Sequence, residues 1–275
     1  MKVLIDVGNT RMKLGWVDSA TGRRESHALA LGHHDLPQLA GWLEQLTPAP
    51  LGALGVNVAG KAMAAALDAL FLGRYGQPVR WITGQAQAGG VRNAYDTPEQ
   101  LGADRWAAMI GLAQHAKSQP LLLASFGTAT TLDTLGAERP AGSTNESQGN
   151  LVFYGGLILP GPALMRSALA TGTANLPEAN APFAAYPTHT HQAISSGIAA
   201  AQAGALLRQW REGIERFGQA PQVYSTGGAW PMVEQEVQGA LARAQDDLKL
   251  PRQAVLWLPS PVLDGLARLA VSGAE

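Results

Sequence analysis

The sequence predicts an α/β protein built from two copies of one unit. Strand-like and helix-like segments alternate along the 275 residues. The opening stretch VLIDVGNTRMKLGWVD (Val3–Asp18), an apolar strand, a glycine turn and a second strand, returns about half a chain later as LLLASFGTATTLDTL. Setting Asp6 on Ser125 and Gly8 on Gly127 places Asn9 on Thr128. A boundary between the copies is expected near 117, giving domains 1–117 and 118–275.

The elements follow in order. After the first strand pair, a third strand is expected around 24–31, a helix from about 35, a strand at 53–58, a helix at 60–72, a short strand at 79–82 and a helix from 98 to 116. The second half repeats this order: strands at 120–125, 129–135 and 150–159, helices at 161–170 and 192–217, a strand at 221–225, a helix from 229, a strand at 254–258 and a final helix from 261. The segments 134–150 and 174–191 are rich in Pro, Gly, Ala and small polar residues without a period, and are expected to be surface loops.

Composition narrows the function classes. With 46% hydrophobic and 15% charged residues, the chain has ample material for a core. A formal net charge of −1 without charged blocks does not fit a nucleic-acid or membrane-surface binder. The absence of cysteine removes disulfides, thiolate catalysis and zinc–sulfur sites. Asp6 interrupts what would be a signal-peptide apolar region, and no stretch approaches the roughly 20 apolar residues of a membrane span, so a cytoplasmic protein is expected.

The two glycine turns suit phosphate. A glycine after a strand lets backbone approach a ligand closely, and neighbouring N–H groups and short hydroxyls donate to phosphate oxygens. Gly8–Asn9–Thr10 and Gly127–Thr128–Ala129–Thr130 both have this form. In the strand after the first turn, alternation puts Arg11, Lys13 and Gly15 on one face and Met12, Leu14 and Trp16 on the other. Asp6 ends an otherwise apolar strand, where a carboxylate is costly unless a cation such as Mg²⁺ compensates it. A third glycine turn, YSTGGAW (224–230), leads through Thr226, Gly227 and Gly228 into a helix and suits a nucleotide's phosphates or ribose.

In TPEQLGADRWAAM, Thr97 as N-cap, Pro98 and Gln100 read as a helix start, placing Asp104 and Arg105 in its second turn. Neither has an opposite charge three or four residues away. Asp104 is a candidate proton acceptor for a substrate hydroxyl, and Arg105 a partner for a substrate anion. The histidines, including His33, His34, His189 and His191, receive no role, and Trp16 and Trp106 read as core or interface residues.

Together IDVGNTRMK, GADRW, FGTATTLD, YGGLILPG (154–161) and STGG resemble the type III pantothenate kinases over nearly the whole chain. The resemblance implies duplicated ribonuclease H-like, actin-like ATPase domains with a nucleotide cleft between them. It implies ATP-dependent phosphorylation of pantothenate, the first step of coenzyme A biosynthesis, by a homodimer using Mg²⁺ and a monovalent cation, K⁺ or NH₄⁺. By resemblance Asp6, Val7, Gly8, Asn9, Thr10, Arg11, Met12 and Lys13 form the ATP phosphate loop, Asp6 helps to hold Mg²⁺, and Thr128 and Gly227 contact ATP from the second domain. Tyr95, Gly102, Ala103, Asp104, Arg105 and Thr173 would contact pantothenate, with Asp104 the base or positioning group. The family's cation-binding aspartate is here Ser125, so a weaker monovalent-cation dependence is expected. The alternatives are a kinase for another small alcohol or acid, or a non-catalytic nucleotide-binding regulatory protein of the same fold.

Overall fold

The computed structural model describes residues 1–138 and 151–272; part of the expected loop 134–150 therefore lies outside the described residues. The chain forms two compact units. One holds Met1–His115 with the described parts of Ala137–Tyr154 and Ser260–Glu275, the other Ala116–Gly136 and Gly155–Pro259.

In the first unit, β1 (Lys2–Val7), β2 (Arg11–Val17), β3 (Leu29–Gly32), α1 (Leu36–Gln45), β4 (Ala53–Asn57), α2 (Lys61–Tyr75) and β5 (Arg80–Trp81) follow in order. The sheet runs β3-β2-β1-β4-β5. β1–β2 and β2–β3 are antiparallel, β1–β4 and β4–β5 parallel. Alternation fixes what each face meets. Val3, Ile5, Val7, Met12 and Leu14 pack with Leu39 and Leu43 of α1 and Leu67 and Phe71 of α2.

Leu4 and Asp6 therefore point to the opposite face, where α3 (Ala103–Leu112) and the C-terminal helix pack against the strands. The expected strand at 24–31 is shortened to β3, with a single bridge from Val17 to Arg24. Glu25 turns its carboxylate inward to accept the Trp16 N–H at 2.8 Å, which takes the chain out of strand register.

Two short strands were not expected: β6 (Gln87–Ala88) and β7 (Val91–Asn93) form an antiparallel pair. β7 then pairs in parallel with residues 151–153 at the start of β10 (Leu151–Pro160).

The second unit repeats the plan with β8 (Leu121–Phe126), β9 (Ala129–Ala137), β10, α4 (Pro162–Gly172), α5 (Thr190–Phe217), β11 (Gln222–Thr226), α6 (Glu234–Asp247) and β12 (Leu256–Trp257). Its strands run β12-β11-β8-β9-β10, the same order as β5-β4-β1-β2-β3. β8–β9 is antiparallel, and β8–β11 and β11–β12 are parallel, as in the first unit. The chain is thus a duplicated ribonuclease H-like α/β fold. Leu122, Ala124, Phe126, Leu132 and Val223 pack with Leu206 and Trp210 of α5 and Val237 and Leu241 of α6. The helix expected from 229 is a 3₁₀ turn at Trp230–Met232 before α6 begins. The final helix, α7 (Pro261–Val271), returns to the first unit and packs on α3.

Candidate functional site

At the end of β1, Asp6 is directly opposite Lys13 of β2. The turn between them closes where the Gly8 N–H donates to Arg11 O at 3.0 Å, leaving Asn9, Thr10 and Arg11 exposed. Val7 and Met12 are fully buried in the core, so only their backbone could meet a ligand. Asp6 is densely surrounded yet keeps an accessible edge. Burial, first, and then the negative charge of Asp104 raise its pKa from the ordinary 3.8 to about 7, against the lowering effect of Lys13. Asp6 and Asp104, distant in sequence, therefore share one electrostatic neighbourhood.

The start of α3 differs from expectation. Pro98–Gln100 form a single 3₁₀ turn, Leu101 and Gly102 are extended, and α3 begins at Ala103. Asp104 and Arg105 consequently lie in the first turn rather than the second. Tertiary demands override the cap signal. Pro98 O accepts from the buried Asn93 Nδ2 at 3.3 Å and from Leu101 N–H at 3.2 Å. The carbonyls of Pro98 and Leu101 also crowd Gly84 so closely that a Cβ there would lie 2.3 Å from the first. Asp104 accepts the Arg105 N–H at 2.8 Å, and its carboxylate folds over Gly102, where a Cβ would come within 2.8 Å of Oδ1. Gly102 thus reserves the carboxylate's space.

Arg105 is buried, a state that requires partners. Its Nη1 donates to Tyr95 Oη at 2.9 Å, and its guanidinium lies 5.9 Å from the Tyr95 ring centroid and 5.7 Å from that of Phe153. Tyr95 and Phe153 stack with centroids 5.7 Å apart. Sequence reasoning missed Phe153 and Asn93. Asn93 accepts the Tyr95 N–H at 3.1 Å and so holds the loop that carries Tyr95. An asparagine just before a Tyr–Asp–Thr–Pro loop was the available signal.

In the second unit, the turn after β8 is tighter by one residue: Gly127 N–H donates to Ala129 O at 3.0 Å, leaving Thr128 exposed at its tip. Two further glycines converge there. The Gly161 N–H donates to Thr128 O at 2.9 Å, and a Cβ on Gly161 would lie 2.1 Å from Gly127 O. Gly227, at φ 98°, would place a Cβ 2.2 Å from Phe126 O. Backbone meets backbone with no room for side chains. Ser125 stands in register between Thr131 and Thr226, so the position aligned with Asp6 carries a row of three hydroxyls.

A cavity of about 430 Å³ in the same unit is lined, among others, by Pro162, Arg166, Phe183, Ile198 and Met232. Thr173 is exposed at the end of α4. Its hydroxyl donates to Leu169 O at 2.8 Å and accepts the Leu176 N–H at 3.2 Å. In the first unit, His33, given no role from sequence, places Nε2 at 2.9 Å from Gly8 O.

The sequence pattern of the type III pantothenate kinases matches residues 2–212. The chain belongs to the type III pantothenate kinase family. It is 51% identical over its whole length to the type III pantothenate kinase of Bordetella pertussis, 99% of which is covered, and 39% identical to that of Azoarcus sp., 92% of which is covered. Among solved structures it is similar to a chain from Campylobacter jejuni assigned to the Baf family of transcriptional activators, at TM-score 0.55 and 15% identity over 98% of each chain. It is also similar to a chain from Sinorhizobium meliloti described as a 2-dehydro-3-deoxygalactonokinase, at TM-score 0.50 and 16% identity over 100% and 98%. At such identities the structural likenesses speak to the fold alone.

Proposed function

We propose that this chain transfers the γ-phosphoryl group of ATP to the primary hydroxyl of pantothenate, giving 4′-phosphopantothenate and ADP, the first step of coenzyme A biosynthesis. The observation that carries the reading is the shared electrostatic neighbourhood of Asp6, Lys13 and Asp104, beside a turn whose tip exposes Asn9 and Thr10.

Phosphoryl transfer asks mainly for in-line positioning and neutralised charge. Asp104 orients the pantothenate hydroxyl and accepts its proton as the new O–P bond forms and ADP departs. Lys13 and the turn at Gly8–Arg11 hold the terminal phosphates. The Tyr95–Arg105–Phe153 stack forms a wall of the pantothenate site together with Gly102 and Ala103, and Arg105 is the partner for pantothenate's carboxylate.

In the second unit, Thr128, exposed at the tip of its turn, and Gly227 contact the nucleotide. The cavity beside Pro162 and Met232 has the mixed apolar lining and size that suit a nucleoside.

The donor chemistry fits a divalent cation: Asp6 is an oxygen ligand that burial makes expensive to ionise without a cation beside it. Asp6 would hold Mg²⁺, which when bound offsets phosphate charge. Among the described residues no three His, Asp or Glu side chains converge, so most of its ligands would come from phosphate and water. The hydroxyl row at Ser125 supports a weak dependence on K⁺ or NH₄⁺. Exposure of Ile158 (65%) and Leu164 (46%) on β10 and α4 supports a homodimer, and Thr173, exposed at the end of α4, is carried as a further pantothenate contact on the strength of the family resemblance. None of the described helices is long and apolar enough to cross a membrane, and a cytoplasmic location fits the pathway.

The test is ATP consumption with Mg²⁺, with and without pantothenate, across K⁺ and NH₄⁺ concentrations, with the product identified by mass. Phosphopantothenate formed at a rate nearly independent of salt is the expected result. Turnover with other alcohols or acids in preference to pantothenate would reassign the substrate, and bound ATP without any product would favour a regulatory role.

A further inference from the structure

We infer that His33 is a positioning residue for the nucleotide: it locks the Gly8–Asn9 peptide so that the Asn9 N–H is aimed at the terminal phosphates. The inference rests on the reading of the first turn as the phosphate loop.

The Gly8 carbonyl accepts from His33 Nε2 at 2.9 Å, which requires the imidazole proton on Nε2. A trans peptide is planar, with its C=O and N–H on opposite sides. Holding the Gly8 oxygen on the His33 side therefore turns the Asn9 N–H to the other side. The neighbouring donor, Gly8 N–H, is already committed to Arg11 O at 3.0 Å, so it cannot serve a ligand without opening the turn.

His33 is itself held. It follows Gly32, whose strand partner is Arg11, the residue that closes the phosphate turn. The bend after it is fixed twice: Asp35 Oδ2 accepts the Gly32 N–H at 2.9 Å, and Gly32 O accepts the Asp35 N–H at 3.1 Å. The imidazole is half-buried, and its donor is therefore shielded in part from competing water. A donor fixed before the ligand arrives need not be ordered on binding, and that saving falls on nucleotide affinity.

The experiment compares wild type, His33→Ala, His33→Gln and Lys13→Ala by steady-state kinetics for both substrates and by titration with a fluorescent ATP analogue. A glutamine amide nitrogen reaches close to the position of an imidazole Nε2 and restores a donor. His33→Ala is expected to raise KM for ATP and Kd for the analogue roughly five- to tenfold, the scale of one hydrogen-bonded contact. KM for pantothenate should stay unchanged, and His33→Gln should lie within about twofold of wild type. Equal losses in both His33 variants, or parallel losses for both substrates, would make His33 a merely structural residue and overturn the inference. Lost ATP affinity in Lys13→Ala with none in His33→Ala would overturn it while leaving the phosphate turn in place. Unchanged affinity in both would remove the phosphate-turn reading and the inference with it.

Discussion

The first-turn position of Asp104 decides what its substitution should do. In Asp104→Asn the amide oxygen can still accept the Arg105 N–H that now meets the carboxylate at 2.8 Å, so the helix start is kept and the proton acceptor is lost. Turnover should fall by about 10²- to 10⁴-fold, the usual worth of a general base, with KM for ATP moving less than about threefold. Steady-state kinetics at saturating pantothenate check this, and near-normal turnover would remove Asp104 from its role. Ser125 gives the complementary case. Placed between the hydroxyls of Thr131 and Thr226, an aspartate there would be a half-buried charge in need of a counter-ion. Ser125→Asp should therefore acquire a tight, saturable K⁺ activation and a K⁺-dependent rise in Tm, each larger than in wild type. Equal salt responses of the two proteins would show that the position does not face a cation site. Both residues could be singled out as candidates from the sequence, because a lone carboxylate near a helix start and a hydroxyl where the repeat has Asp6 are visible without coordinates. His33 was not legible, because its contact with Gly8 depends on the bend after β3 reaching back beside the first turn.

At the scale of elements, the site depends on where α3 is held. Gly111 and Gly265 bring α3 and α7 backbone to backbone: a Cβ on Gly265 would lie 1.9 Å from Ala107 O and one on Gly111 2.1 Å from Pro261 O. No rotamer change relieves a clash with a carbonyl. Gly265→Ala should lower stability by about 3 kcal/mol, the upper part of the overpacking range, and Tm by roughly 6–12 °C. At a temperature where it remains folded, turnover should fall more than about tenfold, because moving α3 misplaces Asp104. Gly204, mid-way along α5 and exposed, is the control, since a Cβ added there would meet no neighbouring atom within 4 Å. Gly204→Ala should gain about 0.5–1 kcal/mol from helix propensity. Thermal melts of both variants check the pair, and similar Tm changes would mean the α3–α7 contact is soft. The same helix shows where sequence reasoning stopped. Thr97, Pro98 and Gln100 carry every local mark of a helix start, yet Asn93 and Gly84, which precede them in the chain, claim the space and the carbonyl a helix would need. The short pair β6–β7 was missed for a related reason, since strands of two and three residues leave no measurable alternation.

For the whole molecule, the duplication was readable because a strand–glycine–strand pattern survives divergence of everything around it, and the matching strand orders of the two sheets follow from it. That the last helix rejoins the first unit was not readable, since its apolar face would suit either copy. The two copies have separated chemically: one turn keeps Asp6 and Lys13, the other only hydroxyls and backbone. That separation has a thermodynamic consequence. The Asp6 carboxyl titrates near 7 in the folded protein and near 3.8 when ordinary and unfolded, so the fold favours the protonated group. Below about pH 4 both states carry the proton and the stability associated with it is present in full; between about 4 and 7 the unfolded chain ionises first, and this stability is lost as the pH rises through the folded value. The loss amounts to about 4 kcal/mol at most, from 1.36 kcal/mol per pKa unit. Other carboxylates titrate over the same range, so the informative quantity is a difference. Asp6→Asn, which cannot ionise, should exceed wild type in unfolding free energy by a few kcal/mol at pH 8, and the gap should close towards pH 4. Denaturant unfolding of both proteins across this range measures it. A gap that stays constant with pH would mean that Asp6 is solvated rather than poised for a cation, and that its place at the end of an apolar strand carries no electrostatic cost for a bound ion to offset.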